Sequence, residues 1–305
     1  MHLIVWLTGG KGFIGSHLID ELEKVPSIEI YCLENKEIPL PQITRTESNP
    51  VFIALNFNDK AHLSWLGSSG EVPKPTNLLL LGWGKVDDPD SIDHQIGNVE
   101  STFLLYRAVP KTRLQKVIFF GSIDEYGSRL NGIAEGDHAL PPISRYALGK
   151  SLASKKLRDL SHSLNINYQH LYVSNVYGSR QRPSALLNKM MDSDSFTFKG
   201  GNYFRDYLHV TNLCQITVSL LNSKSTLDTN VGSGVSTHSY DYVRMAWKVM
   251  SKDPLLLNFD EPEFRNISEA KYLNISRLRS QIPFDLKIDD IYLGLTKTVS
   301  GLNSR

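Results

Sequence analysis

The stretch from Leu3 to Glu34 constrains the fold more than any other part of the chain. Leu3-Ile4-Val5-Trp6-Leu7 is an apolar run too short for a helix, and it reads as a buried strand. It breaks into Thr8-Gly9-Gly10-Lys11-Gly12-Phe13-Ile14-Gly15. The segment behind that turn carries Ile14, Leu18, Leu22 and Val25 on one helical face until Pro26 stops it. A second strand, Ile28 to Leu33, ends at Glu34. Gly9 lets the chain turn sharply, Gly12 lets backbone N–H groups approach a phosphate, and Gly15 lets the helix press onto the sheet. The positive end of the helix then faces the phosphates. Strand, glycine turn, helix, strand and terminal acid together read as a dinucleotide-binding unit.

At 305 residues the chain forms one large domain or two intimately joined ones. Lys+Arg 33 against Asp+Glu 32 leaves no charge bias, so neither nucleic acid nor a membrane surface is an expected partner. The two cysteines, Cys32 and Cys214, match no metal or redox spacing; reduced, buried thiols and no bound metal are expected. No basic leader or long apolar segment precedes the first strand, and the expectation is a soluble, cytoplasmic protein.

Downstream, Asn35 to Pro50 carries three prolines and no clear period, which predicts a loop. Strands are predicted at Val51–Leu55, Asn77–Leu81, Lys116–Phe120 and Tyr168–Val173. Helices are predicted at Lys60–Leu66, about Pro89–Ala108 and Tyr146–Leu164. Strands alternating with helices predict a Rossmann-type, doubly wound parallel sheet of α/β class. Beyond Val173 the pattern loosens. A helix at Ser184–Met191, a β pair through Phe196–His209, and helices at Thr211–Leu221 and Tyr240–Met250 predict a smaller, mostly C-terminal α/β substrate-binding lobe. It would lie over the carboxyl ends of the strands, where ligands of such sheets bind. The expected division gives residues 1–174 and about 205–235 to dinucleotide binding, and about 175–204 and 236–305 to the lobe.

Three positions supply chemistry at those strand ends. Tyr146 and Lys150 are spaced i, i+4 on one helical face, and Ser122 follows the fifth strand. A free tyrosine has a pKa near 10 and is a poor acid or base at neutral pH; an ammonium beside it favours the phenolate. A serine hydroxyl can hold a substrate oxygen while the tyrosine moves its proton, and a nicotinamide can exchange hydride with the carbon bearing that oxygen. Lys150 is also within reach of a ribose on this reading.

Taken in order, these motifs resemble the extended short-chain dehydrogenase/reductases, the NAD-dependent epimerase/dehydratase family of nucleotide-sugar enzymes. The resemblance rests on Thr8 to Leu18, on Asn98-Val99 and on Asn175-Val176-Tyr177-Gly178. It extends through Arg205-Asp206-Tyr207-Leu208-His209-Val210 and Asn230-Val231-Gly232-Ser233-Gly234. It implies that Ser122, Tyr146 and Lys150 are catalytic. The cofactor residues expected on this reading are Gly9, Gly12, Phe13, Ile14, Gly15, Glu34, Asn35, Asn56, Phe57, Leu81, Gly82, Trp83 and Asn98, with Tyr146 and Lys150. The substrate residues are Trp83, Ser122, Ile123, Asp124, Asn175, Arg180, Arg205 and Arg265, the arginines offering paired donors to a diphosphate. Related enzymes pair through the two long helices, so a homodimer is expected. Asn56 departs from the family's aspartate near the adenine, and Leu80 from its histidine in the fourth strand.

Family members that dehydrate place two acids directly after the catalytic hydroxyl. Here Ser122-Ile123-Asp124-Glu125-Tyr126-Gly127 sets them one place late, which is expected to aim both away from the substrate. Gly-Ser-x-x-Glu-Tyr-Gly and Gly82-Trp83-Gly84 are more similar to reductases of 4-keto-6-deoxy sugars. An NDP-sugar C4 epimerase with tightly bound NAD is the alternative, and a non-catalytic dinucleotide sensor the remote one. Glu34 favours NAD(H), whereas Lys11 and Lys36 can neutralise its charge and admit NADP(H), so the choice of cofactor stays open.

Overall fold

The computed structural model describes residues 2–45, 49–85, 88–128, 132–133, 135–137, 141–142, 144–260 and 269–303. The glycine turn joins β1 (Leu3–Thr8) to α1 (Phe13–Glu23), which ends before Pro26 and leads into β2 (Ile28–Asn35). There follow β3 (Gln42–Arg45), β4 (Val51–Leu55), α2 (Lys60–Ser68), β5 (Asn77–Leu80), α3 (Ile92–Ala108) and β6 (Lys116–Phe120). A 3-10 turn, Ile123–Tyr126, precedes β7 (Gly132–Ile133), α4 (Arg145–Ser163) and β8 (Asn167–Val173). The remainder comprises β9 (Asn175–Tyr177), α5 (Leu186–Met191), β10 (Phe196–Phe198), β11 (Tyr203–His209), α6 (Val210–Leu221), β12 (Thr229–Val231) and β13 (Ser236–His238). It ends with α7 (Ser239–Val249), β14 (Leu257–Phe259), β15 (Glu269–Leu273), α8 (Ser276–Gln281) and α9 (Ile291–Asn303).

The large sheet runs β12-β8-β6-β5-β1-β2-β4-β3 and is parallel except at its β3 edge. The chain winds outward from β1 to one side and then, from β5, to the other. The carboxyl ends of β1 and β5 therefore flank the topological switch point, where open α/β sheets bind ligands. Successive β1 residues serve opposite faces. Leu3, Val5 and Leu7 join the core with Leu18 and Leu22 of α1 and Leu213 of α6. Ile4 and Trp6 join Leu63, Leu105 and Leu157 from α2, α3 and α4. Trp6 is fully buried, its indole N–H donating to Pro73 O at 3.1 Å; truncation to Ala would cost about 3–5 kcal/mol.

The structure departs from the sequence reading at three places. Gln42–Arg45, expected in a loop, adds an antiparallel edge strand because Ile43 packs onto the sheet core. Phe196–His209 does not form a β pair. β10 runs parallel to β14, whereas β11 pairs with β13, β15 and β9. The chain turns between them at Gly200-Gly201, where Gly201 has φ +84° and a Cβ on Gly200 would strike the Phe198 ring at 2.1 Å. β11, expected with the dinucleotide-binding part, thus enters a five-stranded sheet with β13, β15, β7 and β9, and β12 returns to the large one. Asp206 pins this junction. Its buried carboxylate accepts from Ser233 N and Oγ, both 2.7 Å, from Gly234 N at 3.0 Å and from Leu273 N at 3.2 Å.

Candidate active site

Two adjoining clefts open at the switch point and share Gly9, Gly12, Gly82 and Trp83. The first, about 400 Å³, lies over β1, β2 and α3. Its floor is the glycine turn. Gly9 adopts φ +76°, and a Cβ on Gly15 would sit 2.0 Å from Gly9 O, so neither position admits a side chain. Gly12 caps α1 without a side-chain hydrogen bond, and the first turn carries no acid. The leading N–H groups of α1 have no intrahelical acceptors, which suits an anionic ligand. At the far end, Glu34 is gripped by Lys11 Nζ at 2.9 Å and Lys36 Nζ at 3.2 Å. Asn35 and Phe57 line this end too, the Asn35 side chain accepting from Phe57 N at 2.9 Å. Asn98 clasps Gly84 through two 2.9 Å hydrogen bonds and so shapes the rim. A glycine cradle, an open helix end and a carboxylate lining the same cleft fit a bound NAD, with Lys11 and Lys36 beside the carboxylate.

The second cleft, about 520 Å³, is lined by Phe13, Ile14, Leu81, Ser122, Asp124, Tyr146, Lys150 and Asn175. The trio expected from sequence thus faces one space. Ser122 caps the 3-10 turn and accepts from Asp124 N at 3.2 Å, leaving its own hydrogen for a ligand oxygen. Lys150 is buried. Its Nζ donates to Phe120 O at 2.7 Å and stands 4.4 Å from the Trp83 ring centroid and 5.8 Å from that of Tyr146. Burial pulls its pKa down to about 7, with the Glu125 charge opposing. Around Tyr146 other influences oppose the phenolate that an ammonium favours. Burial first, then the charges of Glu125 and Asp124, push its pKa well up and keep the phenol protonated.

Other expected residues lie elsewhere. Ile123 turns into a small core with Tyr126, Tyr172 and Leu273. Asn56 uses its Oδ1 to accept from Asn58 N at 2.9 Å and does not line the first cleft. Arg180 is spent on Asp20 of α1, 2.7 Å away, and Arg205 lays its guanidinium over the Tyr203 ring at 4.4 Å. Arg265 lies outside the described residues. Asp124, expected to point away, lines the second cleft beside Ser122. Its carboxylate meets Lys271 Nζ at 2.9 Å, and that lysine is wholly buried on β15. Nothing in the local sequence around Lys271 marked it. Ser174 was also missed; its buried hydroxyl lines the second cleft and has no hydrogen-bond partner among the described residues.

A doubly wound sheet, a phosphate turn and a Ser/Tyr/Lys trio beside it define a dinucleotide-dependent oxidoreductase class. The profile of the NAD dependent epimerase/dehydratase family matches residues 5–232. The chain belongs to this NAD-dependent family of nucleotide-sugar enzymes. It is 26% identical over 316 residues to the dTDP-4-dehydro-6-deoxyglucose reductase of Escherichia coli, covering 99% of this chain and 98% of that one. It is 24% identical over 283 residues to the UDP-glucose 4-epimerase of Bacillus subtilis strain 168, covering 82% and 83%. Its fold superimposes with a TM-score of 0.80 on the UDP-N-acetylglucosamine 4-epimerase of Methanobrevibacter ruminantium M1 solved with UDP-N-acetylmuramic acid, at 23% identity over 99% of both chains.

Proposed function

We propose that the chain reduces the C4 ketone of an NDP-4-keto-6-deoxy-hexose in deoxysugar or polysaccharide biosynthesis. The observation that carries this reading is the placing of Ser122, Tyr146 and Lys150 on one cleft that also reaches the glycine turn. A reductase must deliver a proton to the oxygen that becomes an alkoxide, and a phenol lining the cleft can do so. Ser122 donates to the same oxygen and fixes the ketone against the phenol. Lys150, on the face of Tyr146, supplies positive charge as the proton leaves. A nicotinamide dinucleotide held by the glycine turn would supply the hydride. Dehydration needs a further proton-transfer group, and the one carboxylate lining the cleft, Asp124, is engaged by Lys271. Similarity to the E. coli reductase over the whole chain supports the same reading.

A C4 epimerase uses the same trio. The observation on its side is Glu34, whose carboxylate suits the ribose hydroxyls of a retained NAD. The two are told apart by cofactor balance. A reductase given a 4-keto-6-deoxy nucleotide sugar consumes one NADH or NADPH per turnover and leaves a 4-hydroxy sugar untouched. Interconversion of two 4-hydroxy epimers without net cofactor change would overturn the proposal in favour of epimerisation.

We also propose a homodimer through α3 and α4. Ile92 and Ile96 of α3 and Leu148 and Leu152 of α4 are about half exposed on one face, with Glu100, Arg145 and Lys156 beside them. A second copy would bury this apolar face.

A further inference from the structure

We propose that Glu125 is a positioning residue that holds Ser122 in register with Tyr146 and Lys150 by tying together the three elements that carry or back them. This rests on the reading of the site given above. Glu125 belongs to the 3-10 turn, yet it is only 2% exposed and its carboxylate leaves the turn in two directions. Oε1 accepts from Ser122 N at 2.8 Å and lies 3.2 Å from His170 Nε2 on β8. Oε2 accepts from Ser151 Oγ at 3.0 Å, one residue beyond Lys150 on α4.

The network continues inward and closes on itself. His170 Nδ1 lies 2.8 Å from Ser154 Oγ, which lies 2.9 Å from Tyr168 Oη, all of them buried. A carboxylate only accepts, so His170 donates from Nε2 to Glu125. The Ser154 hydroxyl bridges His170 Nδ1 and the Tyr168 phenol. Each of these donors has its acceptor, which in a dry interior makes the chain of groups rigid.

An ordinary capping box closes a turn on itself at the surface. This one is buried and grips α4 and β8 as well. Gly121 shows how tight the grip is: a Cβ there would lie 2.0 Å from His170 Nε2 and 2.3 Å from Glu125 Oε1. The Ser122 backbone is therefore set by contacts to the helix that carries Tyr146 and Lys150. The charge of Glu125 is also among the causes that keep the Tyr146 phenol protonated.

Glu125→Gln keeps the volume and one acceptor but gives up a donor-only environment for the carboxylate. It is expected to lower kcat by about 10- to 100-fold, the scale of a small misplacement of a reacting group, with KM for cofactor unchanged. Because Glu125 acts through Ser122, the double variant with Ser122→Ala should be no slower than Ser122→Ala alone. Wild-type kcat in Glu125→Gln, or multiplied losses in the double variant, would overturn the proposal. A second readout needs no substrate. Ser151→Ala, on the neighbouring helix, should speed amide hydrogen exchange at Ser122 at least several-fold, and unchanged protection there would overturn the proposal even if no nucleotide sugar were turned over. Silence of the wild-type enzyme on every such sugar counts instead against the function assigned to the site.

Discussion

Tyr146 concentrates the chemistry at the residue scale. Its ring meets Trp83 edge-on at 6.3 Å and its hydroxyl serves a cleft shared with Ser122. Tyr146→Phe removes the proton and keeps the ring, so turnover should fall by about 10²–10⁴-fold while NAD(H) affinity, measured by calorimetry, stays as it was. Wild-type turnover would move the acid elsewhere, Asp124 being next in line. Glu34 lines the far end of the first cleft, where the proposal places the ribose. Glu34→Ala should weaken NAD(H) more than NADP(H), since Lys11 and Lys36 lose their carboxylate and become free for a 2′-phosphate. An unchanged ratio of the two dissociation constants would show that Glu34 does not choose the cofactor. These residues were legible because each sits at a fixed offset from a strand end, where sequence spacing determines position. The protonation state of Tyr146 was not, since it depends on burial and on Glu125 and Asp124, which only the folded chain brings near. Lys271 was out of reach for the same reason, being far from Asp124 in sequence.

At the scale of elements, the α/β alternation through β8 was readable because each strand is an apolar run and each helix carries an apolar stripe. β3 escaped because four mostly exposed residues have no usable period, and the pairing of β10 with β14 because no local pattern marks a partner so far along the chain. The junction of β11 and α6 shows what tertiary context adds. His209 caps α6, its ring accepting from Thr211 N at 3.4 Å and meeting Tyr177 edge-on at 5.5 Å. Burial holds its pKa down at about 4, against 6.5 for the free side chain, with the Asp289 charge opposing. Between those values the unfolded chain binds a proton that the folded one refuses. Stability that is full above about pH 6.5 therefore falls as pH drops towards 4. From pH 7 to 4.5 the wild type should lose roughly 2–3 kcal/mol more than His209→Asn, which keeps a capping side chain without the titration. Urea unfolding at both values measures this, and parallel losses in the two proteins would contradict it.

For the molecule as a whole, no helix among the described residues is long and apolar enough to cross a membrane. The apolar face on α3 and α4 leads to a plain expectation: if the proposed dimer forms through it, Leu148→Glu with Leu152→Glu should give a monomer in sedimentation, with the fold intact by circular dichroism. A wild type that sediments as a monomer at high concentration would contradict the pairing. The central claim is that the two clefts work together, one holding a dinucleotide and the other presenting a ketone to Ser122 and the Tyr146 phenol. The fate of the hydride tests it most directly. With a 4-keto-6-deoxy nucleotide sugar and NADH or NADPH deuterated at C4 of the nicotinamide, the account predicts one deuterium at C4 of the product sugar per cofactor oxidised. A product without deuterium at C4, or deuterium at another carbon, would contradict it.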